Sequence, residues 1–241
     1  MRDIMERFEG TLNSDFFRAY DKFKDVEQQK CLGHLLSDII ELIVKLEKKN
    51  ERIEKKLEEH EEAVKKEEHF EDTPKKRERS KKVEKLKEDQ VKTLKERQRQ
   101  NLKSLNQTIR LRSLFKAVFK HTVIGWKTDK FKRLTKDEAE EKLKEFILKL
   151  QEEGVVGADL EKLLKRCEKY EKKLFTYLKY EGMPPDNNEA ERKPHPFVVQ
   201  RKRSGGFKSP EVMRHYVIYL SLYMTCKVNE KDFDKLLDLN L

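Results

Sequence analysis

The sequence predicts a mainly α-helical protein with a short strand before residue 15. From Leu36 to Val64, apolar residues recur every three or four positions, as they do along one face of an α-helix. Residues 135–138 have the form of a capping box, in which the first and last side chains bond the backbone at the start of a helix. Residues 11–14 form a short run that suits the end of a strand opening onto a site.

The composition limits the size of the core and the class of protein. Charged residues make up 42 % of the chain and hydrophobic residues only 36 %, so we expect that only part of it buries a compact core. The three cysteines (Cys31, Cys167 and Cys226) are odd in number and far apart, which favours a reducing compartment without disulfides. No apolar run approaches the ~18 residues of a membrane span, and no signal-peptide pattern follows Met1. A soluble, cytoplasmic protein without a membrane partner is expected.

The first long helical pattern carries a seam of apolar residues with Asn50 and His60 at two of its positions. The sequence Glu71-Asp72-Thr73-Pro74 should interrupt this helix, because proline cannot continue it. A second, less regular pattern then runs from Val83 to Ile109. An antiparallel helical hairpin within one chain is the simplest arrangement, and pairing between chains as a coiled coil is the alternative.

Charge is divided unevenly between the two arms of this expected hairpin. Residues 36–72 hold eight Lys/Arg and thirteen Asp/Glu, a balance of −5, whereas residues 75–133 hold twenty-one and six, a balance of +15. Such a basic stretch is typical of a surface that binds nucleic acid or another polyanion. Solvated helices whose charges pair with the acidic arm are an equal alternative.

Further helices are expected beyond the hairpin. Trp126 should anchor the chain where the hairpin returns to the body. The helix after the capping box should bury Leu143, Phe146, Ile147 and Leu150 and stop near Gly154. The next helix should start at Asp159, present an apolar face up to Leu178, and end at Gly182. The last should open at Ser209-Pro210-Glu211, with the serine as cap, and run to about Lys227.

Two separate blocks resemble known sequences. One is Asp186-Asn187-Asn188-Glu189-Ala190-Glu191-Arg192, with Phe197-Val198-Val199-Gln200-Arg201-Lys202 soon after it. The other comprises residues 8–21 and Gln28-Gln29-Lys30-Cys31-Leu32-Gly33-His34. Both are similar to segments of insertion-sequence-66-type transposases, enzymes with a D-D-E triad of metal-binding carboxylates. The resemblance covers roughly residues 5–45 and 170–240.

This resemblance implies a fold that is mainly α with a small α/β part. It would be a partial ribonuclease-H-like fold, interrupted by the long helical hairpin. The expected segments are strands with the second Asp in residues 1–35, the charged hairpin insertion in 36–133, a helical region in 134–182, and a C-terminal segment with the D-N-N-x-A-E-R motif in 183–241.

The resemblance also implies the site residues. Asp15 and Glu191 match the second and third triad positions and would be the catalytic ligands of Mg²⁺ or Mn²⁺. Asp186 and Asn187 are expected to cap the turn that carries Glu191. The expected DNA contacts are Asn188, Arg192, Lys193, Arg201, Lys202, Arg203 and Lys208. Cys31-x-x-His34 belongs to the family segment, and no zinc site is expected, because structural zinc needs four ligands and the remaining cysteines and histidines are isolated.

No residue matches the first triad Asp. In the family, the first Asp lies on the opening strand, and two more strands and a helix separate that strand from the one that bears the second Asp. Three strands, a helix and their connections need on the order of 40 residues or more. Only fourteen residues precede Asp15, so Asp3 does not qualify. We therefore expect a truncated transposase, inactive alone, whose partners are DNA and either a separately encoded N-terminal half or a second copy. The alternative is a non-catalytic coiled-coil protein that binds DNA or another protein.

Overall fold

The computed structural model describes residues 8–67, 74–123 and 134–238. The chain divides into two compact units, Met1–Pro185 and Asp186–Leu241. Most described residues are helical, and one two-stranded sheet lies in the first unit. This confirms a mainly α fold with a small α/β part. Trp126, the expected packing anchor, lies outside the described residues.

The sheet consists of two short parallel strands, β1 (Thr11–Ser14) and β2 (Glu27–Lys30). Their register pairs Thr11 with Glu27 and Ser14 with Lys30. Cys31 N donates to Ser14 O at 2.8 Å, which extends the pairing by one residue. A connection with a short 3₁₀ helix at Arg18–Lys22 joins the strands. Because the strands are parallel, both carboxyl ends lie at the same edge.

Strand β2 is polar throughout, yet Gln28, Gln29 and Lys30 are buried. Gln29 Nε2 donates to Leu174 O at 2.8 Å, and its Oε1 accepts from Tyr177 N at 2.9 Å. The carbonyl of Gln28 accepts from Thr176 Oγ1 at 2.8 Å. Buried polar groups are tolerated when they are hydrogen-bonded, so these contacts tie residues 174–177 to β2.

Two long helices follow the sheet, α1 (Leu32–Glu67) and α2 (Pro74–Val123). Asn101 Nδ2 of α2 donates to Leu46 O of α1 at 2.8 Å, and Gln98 Nε2 of α2 donates to Glu54 Oε1 of α1 at 3.3 Å. A later residue of α1 thus meets an earlier residue of α2. The two helices therefore pack antiparallel within the chain.

The hydrophobic core lies where the first part of α1 and the last part of α2 meet two further helices, α3 (Lys136–Glu152) and α4 (Ala158–Leu174). Its members include Leu35, Ile39, Leu111, Phe115, Leu143, Ile147, Leu150, Leu160 and Leu164. The predicted face of α3 is confirmed, with Phe146 packed at its edge. The apolar seam does not stay buried along all of α2, because Leu86 is 62 % exposed.

The end of α3 and the start of α4 follow local rules. The prediction that α4 runs on to Gly182 is wrong, because the helix ends at Leu174 and a 3₁₀ helix follows at Thr176–Lys179. Thr135 and Glu138 form the predicted capping box, with N–H···O distances of 3.2 and 2.8 Å. The helix stops at Glu152, two residues before Gly154, as expected. The next helix starts at Ala158, one residue before the predicted Asp159, because Gly157 occupies the cap position with φ +100°.

The loop between α3 and α4 is fastened to α2. Gln107 Nε2 donates to Gly154 O at 3.0 Å, and its Oε1 accepts from Val156 N at 3.1 Å. Arg110 binds both carboxylate oxygens of Glu153, at 2.6 and 3.0 Å. A Cβ at Gly157 would meet Ser104 Oγ at 3.0 Å, so the loop approaches α2 too closely for a side chain there.

The second unit contains four helices: α5 (Asn188–Arg192), α6 (His195–Arg203), α7 (Pro210–Val228) and α8 (Phe233–Asp238). The start of α7 is as predicted, since Ser209 Oγ accepts from Val212 N at 3.2 Å and Pro210 occupies the first turn. In the described part of the chain, no helix is long and apolar enough to cross a membrane. Cys31, Cys167 and Cys226 are buried thiols without disulfides.

The antiparallel register predicts which engineered cysteines react. With Glu54→Cys and Gln98→Cys together, a short bifunctional thiol reagent should give an intramolecular crosslink at high dilution, because these side chains meet. The product is measured by denaturing electrophoresis and by mass spectrometry of linked peptides. Glu54→Cys with Ser113→Cys is the control, since fifteen helical residues separate positions 98 and 113, about 22 Å. Crosslinks found only between chains would instead show intermolecular pairing.

Candidate functional site

Asp15 directly follows β1, at the edge where both parallel strands end. Its Oδ1 accepts a hydrogen bond from Phe17 N at 2.9 Å, which forms a tight turn of the kind that aspartate favours. Its Oδ2 has no hydrogen-bond partner among the described residues. The carboxyl ends of parallel strands are the usual place for ligands in α/β proteins, so Asp15 is well placed to receive one.

A buried lysine lies behind this turn. The side chain of Lys30, the last residue of β2, is 0 % exposed. Its Nζ donates to Asp15 O at 3.1 Å and to Ser14 Oγ at 3.2 Å. Ser14 Oγ in turn donates to Asp15 O at 3.2 Å. The main-chain carbonyl of Asp15 is therefore held by two donors from the strand ends.

Asp21 neutralises this lysine. Its Oδ1 lies 3.5 Å from Lys30 Nζ, while its Oδ2 accepts from Lys169 Nζ at 2.8 Å and from Tyr170 OH at 2.7 Å. Burial opposes ionisation of Asp21, but the two hydrogen bonds and the charge of Lys30 outweigh it and lower the pKa of the carboxyl group. For Lys30, burial dominates and lowers the pKa of the ammonium, partly offset by Asp21.

Aromatic rings complete the surroundings of Lys30. Its Nζ lies 5.1 Å from the centroid of the Tyr170 ring and 5.7 Å from that of Tyr20. Phe16 packs edge-on against Tyr170, with centroids 5.5 Å apart, and Arg166 lies over the other side of Phe16, paired with Asp38. The residues around Asp15 are thus packed against α4 rather than left as a loop.

The last residues of the first unit return to the same strand ends. Asn13 Nδ2 donates to Pro184 O at 3.1 Å, and Leu32 N donates to Pro185 O at 2.9 Å. Pro185 is the residue before Asp186, where the D-N-N-x-A-E-R motif begins. The point from which the chain enters this motif is therefore fixed beside β1 and the start of α1.

Within the second unit, the motif forms the short helix α5. Asp186 Oδ1 accepts from Asn188 N at 3.1 Å. The cap position of α5 is Asn187, and no side-chain hydrogen bond caps the helix there, so the predicted side-chain capping by Asn187 is wrong. Glu191 N donates to Asn187 O at 3.1 Å, so Glu191 belongs to the first helical turn, and its side chain is exposed. Glu189 pairs with Lys193 at 3.6 Å along the helix. Glu189 and Glu191 are two residues apart and leave the helix on different faces.

The basic residues expected to contact DNA are exposed in the second unit. Arg201, Lys202 and Arg203 form the last turn of α6. The turn after it uses Gly205 and Gly206, both with positive φ, and Gly206 N donates to Arg201 O at 2.9 Å. Three aromatic rings then hold this turn to the neighbouring helices, with centroid distances of 5.4 to 6.2 Å between Phe197, Phe207 and Tyr216.

Asp15 and Glu191 are the predicted metal ligands. The carboxylate of Asp15 is a hard oxygen ligand of the kind that Mg²⁺ prefers, and its chemistry fits that ion. Among the described residues, no three or more His, Cys, Asp and Glu side chains cluster as a metal site. Asp15 lies in the first unit and Glu191 in the second, and a joint site of the two stays a prediction.

Sequence reasoning did not single out Lys30, Asp21, Gln29 or Tyr170. The available signal was the run 27–30, four polar residues directly before the buried Cys31 and Leu32. Polar residues in a short strand suggest an exposed edge, and only the contacts with α4 and residues 174–177 show that they are interior. The partners of Gln29 lie 145 and 148 positions away in the sequence, which no local pattern reveals.

Comparison with known proteins gives one family. The family model described as "Transposase IS66 family" matches residues 1–128 and 106–215 of the chain. Comparison with curated proteins and with solved structures gave no match.

The pairing of Asp21 predicts a pH-dependent stability. Because the pKa of Asp21 is lowered in the folded protein from its ordinary 3.8, its carboxylate stabilises the fold above that value, and this contribution is lost as the pH falls through the folded pKa. Asp21→Asn should lower the free energy of unfolding by roughly 1–3 kcal/mol at neutral pH. The deficit should shrink as the pH falls below about 3.8, where the unfolded chain takes up a proton before the native carboxyl group does, and should be lost below the folded pKa.

Urea unfolding at a series of pH values measures this difference. Asp25→Asn, an exposed position in the same connection, is the matched control and should have little effect. A deficit for Asp21→Asn that stays constant down to pH 3 would contradict the assigned ion pair.

Proposed function

The chain belongs to the IS66 family of transposases, and on that premise we propose that it binds DNA and supplies Asp15 and Glu191 to a D-D-E strand-transfer site. One observation carries the proposal. Pro184 and Pro185, which lead into the motif, are bonded to Asn13 and Leu32 beside the strand end that bears Asp15. Glu191 follows Pro185 by six residues, so chain length alone keeps it within about 20 Å of this anchor.

Each of the two carboxylates has a local support that suits a metal ligand. The turn to Phe17 N engages one oxygen of Asp15 and orients the other. Asp186 Oδ1 accepts from Asn188 N at the start of the helical turn that carries Glu191, and the side chain of Asn188 is exposed on the same short helix. Mg²⁺ or Mn²⁺ bound by these oxygens would activate the attacking oxygen and stabilise the leaving oxygen of a phosphodiester.

The sheet supports a ribonuclease-H-like arrangement with one place for a further strand. Residues 174–177 are hydrogen-bonded to β2 through Gln28 and Gln29. The backbone of β1 pairs with β2, and Ser14 O accepts from Cys31 N. We infer that a strand carrying the first triad carboxylate pairs with the other edge of β1. A separately encoded N-terminal half would provide it.

The metal ligands can be tested directly. The full chain should bind Mn²⁺ weakly, and Asp15→Asn or Glu191→Gln should each reduce the affinity by roughly tenfold or more, because few protein oxygens hold the ion. Electron paramagnetic resonance of free Mn²⁺ gives the dissociation constant. Glu189→Gln is the matched control, since its carboxylate pairs with Lys193 on another face.

We expect the same chain not to cut or join DNA by itself. With two of three carboxylates, the ions lack the alignment that in-line transfer needs. Incubation with supercoiled plasmid in Mg²⁺ or Mn²⁺ tests this. Nicking that is lost in Glu191→Ala would show that another carboxylate of this chain replaces the first triad Asp.

DNA binding has two candidate surfaces. One comprises Arg192, Lys193, Arg201, Lys202, Arg203 and Lys208 in the second unit, all exposed. The other is a row on α2 formed by Lys85, Lys92, Lys95 and Arg99, also exposed. Spacings of seven, three and four residues place this row on one helix face. Asn101, which bonds α1, lies on the opposite face, so the row points away from the partner helix.

The row on α2 also supports the second candidate function, a non-catalytic helical protein that binds DNA. It would require the basic arm and neither carboxylate. The two proposals therefore differ in which substitutions remove DNA binding and whether divalent metal matters.

The triple substitution Arg201→Gln, Lys202→Gln and Arg203→Gln should weaken binding to a random duplex by roughly tenfold or more at 100 mM salt. The slope of its log affinity against log salt concentration should be shallower by about two to three units. The reason is that binding without these three phosphate contacts releases fewer counterions. Fluorescence anisotropy at several salt concentrations measures both quantities. The control with equal charge change is Lys142→Gln, Lys149→Gln and Lys162→Gln, all exposed on α3 and α4.

A loss of binding confined to Gln substitutions at Lys85, Lys92, Lys95 and Arg99 would assign the contact to α2 instead. Binding that does not change between about 50 and 200 mM salt would contradict a phosphate-contacting surface altogether.

A further inference from the structure

The ammonium of Lys30 donates two hydrogen bonds, forms one ion pair and has no exposure to solvent. The hydrogen bonds go to Ser14 Oγ at 3.2 Å and to Asp15 O at 3.1 Å, and the ion pair is with Asp21 Oδ1 at 3.5 Å. The two nearer oxygens both belong to the end of β1, and Asp15 is the residue whose carboxylate the family signature assigns to metal binding.

A buried charge needs an explanation beyond filling space. Removing an ammonium from water is costly unless it is paired and fully hydrogen-bonded, and an apolar side chain of similar length often packs at least as well. Here the cost is met by Asp21, which is itself held by Lys169 and Tyr170. Asp21, Lys169 and Tyr170 thus form one network around the Lys30 ammonium. The ammonium itself donates to the main-chain carbonyl of Asp15 and not to the Asp15 carboxylate.

We propose that Lys30 is a positioning residue that holds the main chain of Asp15, so that the Asp15 carboxylate projects from the strand end towards a divalent cation. This rests on the proposed function of Asp15 as a metal ligand. Lys30 fixes the carbonyl of Asp15, and the turn to Phe17 N then fixes one carboxylate oxygen. Because the carbonyl and the Oδ1 of Asp15 are both hydrogen-bonded, the direction of its Oδ2 is defined.

The position of Lys30 distinguishes a role in positioning Asp15 from a direct effect of the lysine charge on the cation. Its hydrogen bonds to Asp15 go to the carbonyl, leaving the carboxylate to the turn and to a ligand. Asp21 balances its positive charge within 3.5 Å, which limits repulsion of a bound cation. A lysine whose charge acted alone would oppose cation binding, whereas a positioning lysine supports it. The sign of the effect of its removal therefore distinguishes the two.

The test uses the full chain with Lys30→Met, which keeps the length of the side chain and removes its charge and donors. Two quantities are measured on folded protein: the Mn²⁺ dissociation constant by electron paramagnetic resonance, and the hydrogen-exchange rate of the Phe17 amide. We expect Mn²⁺ affinity to fall roughly 10–100-fold, as when a group that orients a metal ligand is removed. The Phe17 amide should exchange faster, and Lys30→Arg should restore part of both.

The matched control is Lys179→Met. Lys179 also pairs with β2, through Glu27 at 2.6 Å, but at the opposite end of the strand. It should change neither quantity. If Lys30→Met does not fold, Ser14→Ala replaces it, since the hydroxyl both accepts from Lys30 and donates to Asp15 O. The same changes with smaller size are then expected.

The outcomes are distinct. Folded Lys30→Met, or its replacement Ser14→Ala, with unchanged or tighter Mn²⁺ binding overturns the positioning role while leaving Asp15 as a ligand. If the unmodified chain shows no Mn²⁺ binding that depends on Asp15, the metal site itself is refuted. The ligand-positioning role then falls with it, even where Phe17 exchange still responds to Lys30.

Discussion

The buried polar strand β2 is the constraint on which the first unit depends. Gln28, Gln29 and Lys30 lie in the interior, where each unpaired polar atom would cost about 1–3 kcal/mol. Their partners come from the connection after β1, from α4 and from residues 174–177. A two-stranded parallel sheet has little stability of its own, so these side-chain bonds replace the neighbouring strands of a larger sheet. The same bonds bring α4 and the chain leading to the motif against the strand ends.

The helical hairpin is joined to this arrangement at its base. The first turns of α1 continue directly from β2, and the last part of α2 contributes Leu111 and Phe115 to the core. The α3–α4 loop binds α2 through Gln107 and Arg110, which fixes where α4 begins and therefore where Tyr170 lies. Farther along, Leu86 is exposed and the surface is charged. The base of the hairpin thus belongs to the body that supports Asp15.

Local rules predicted much of the fold and little of the site. The capping box at Thr135 and Glu138, the Ser209-Pro210 helix start and the buried face of α3 follow from contacts within a few residues. The hydrogen bond from Asn188 N to Asp186 at the start of α5 is likewise local. The interior place of Lys30 depends on Asp21, Tyr170 and the turn at Asp15, and that of Gln29 on residues 145 positions away. Composition gives no sign of such distant pairs, and polar residues in a strand suggest the surface.

The placement of charge around Asp15 shows how a cation could bind beside a lysine. Two unit charges of opposite sign 3.5 Å apart, Lys30 and Asp21, act at longer range as a dipole, whose field falls faster with distance than that of a single charge. Asp21 also pairs with Lys169 at 2.8 Å, and the Asp15 carboxylate attracts Lys30 more weakly than Asp21 does. Removing Asp21 would leave Lys30 without its ion-pair partner at the strand end, whereas removing both would leave the turn without its support. Lys30 and Asp21 therefore hold the main chain of Asp15 while their opposite charges partly cancel, which suits the divalent cation proposed for this edge.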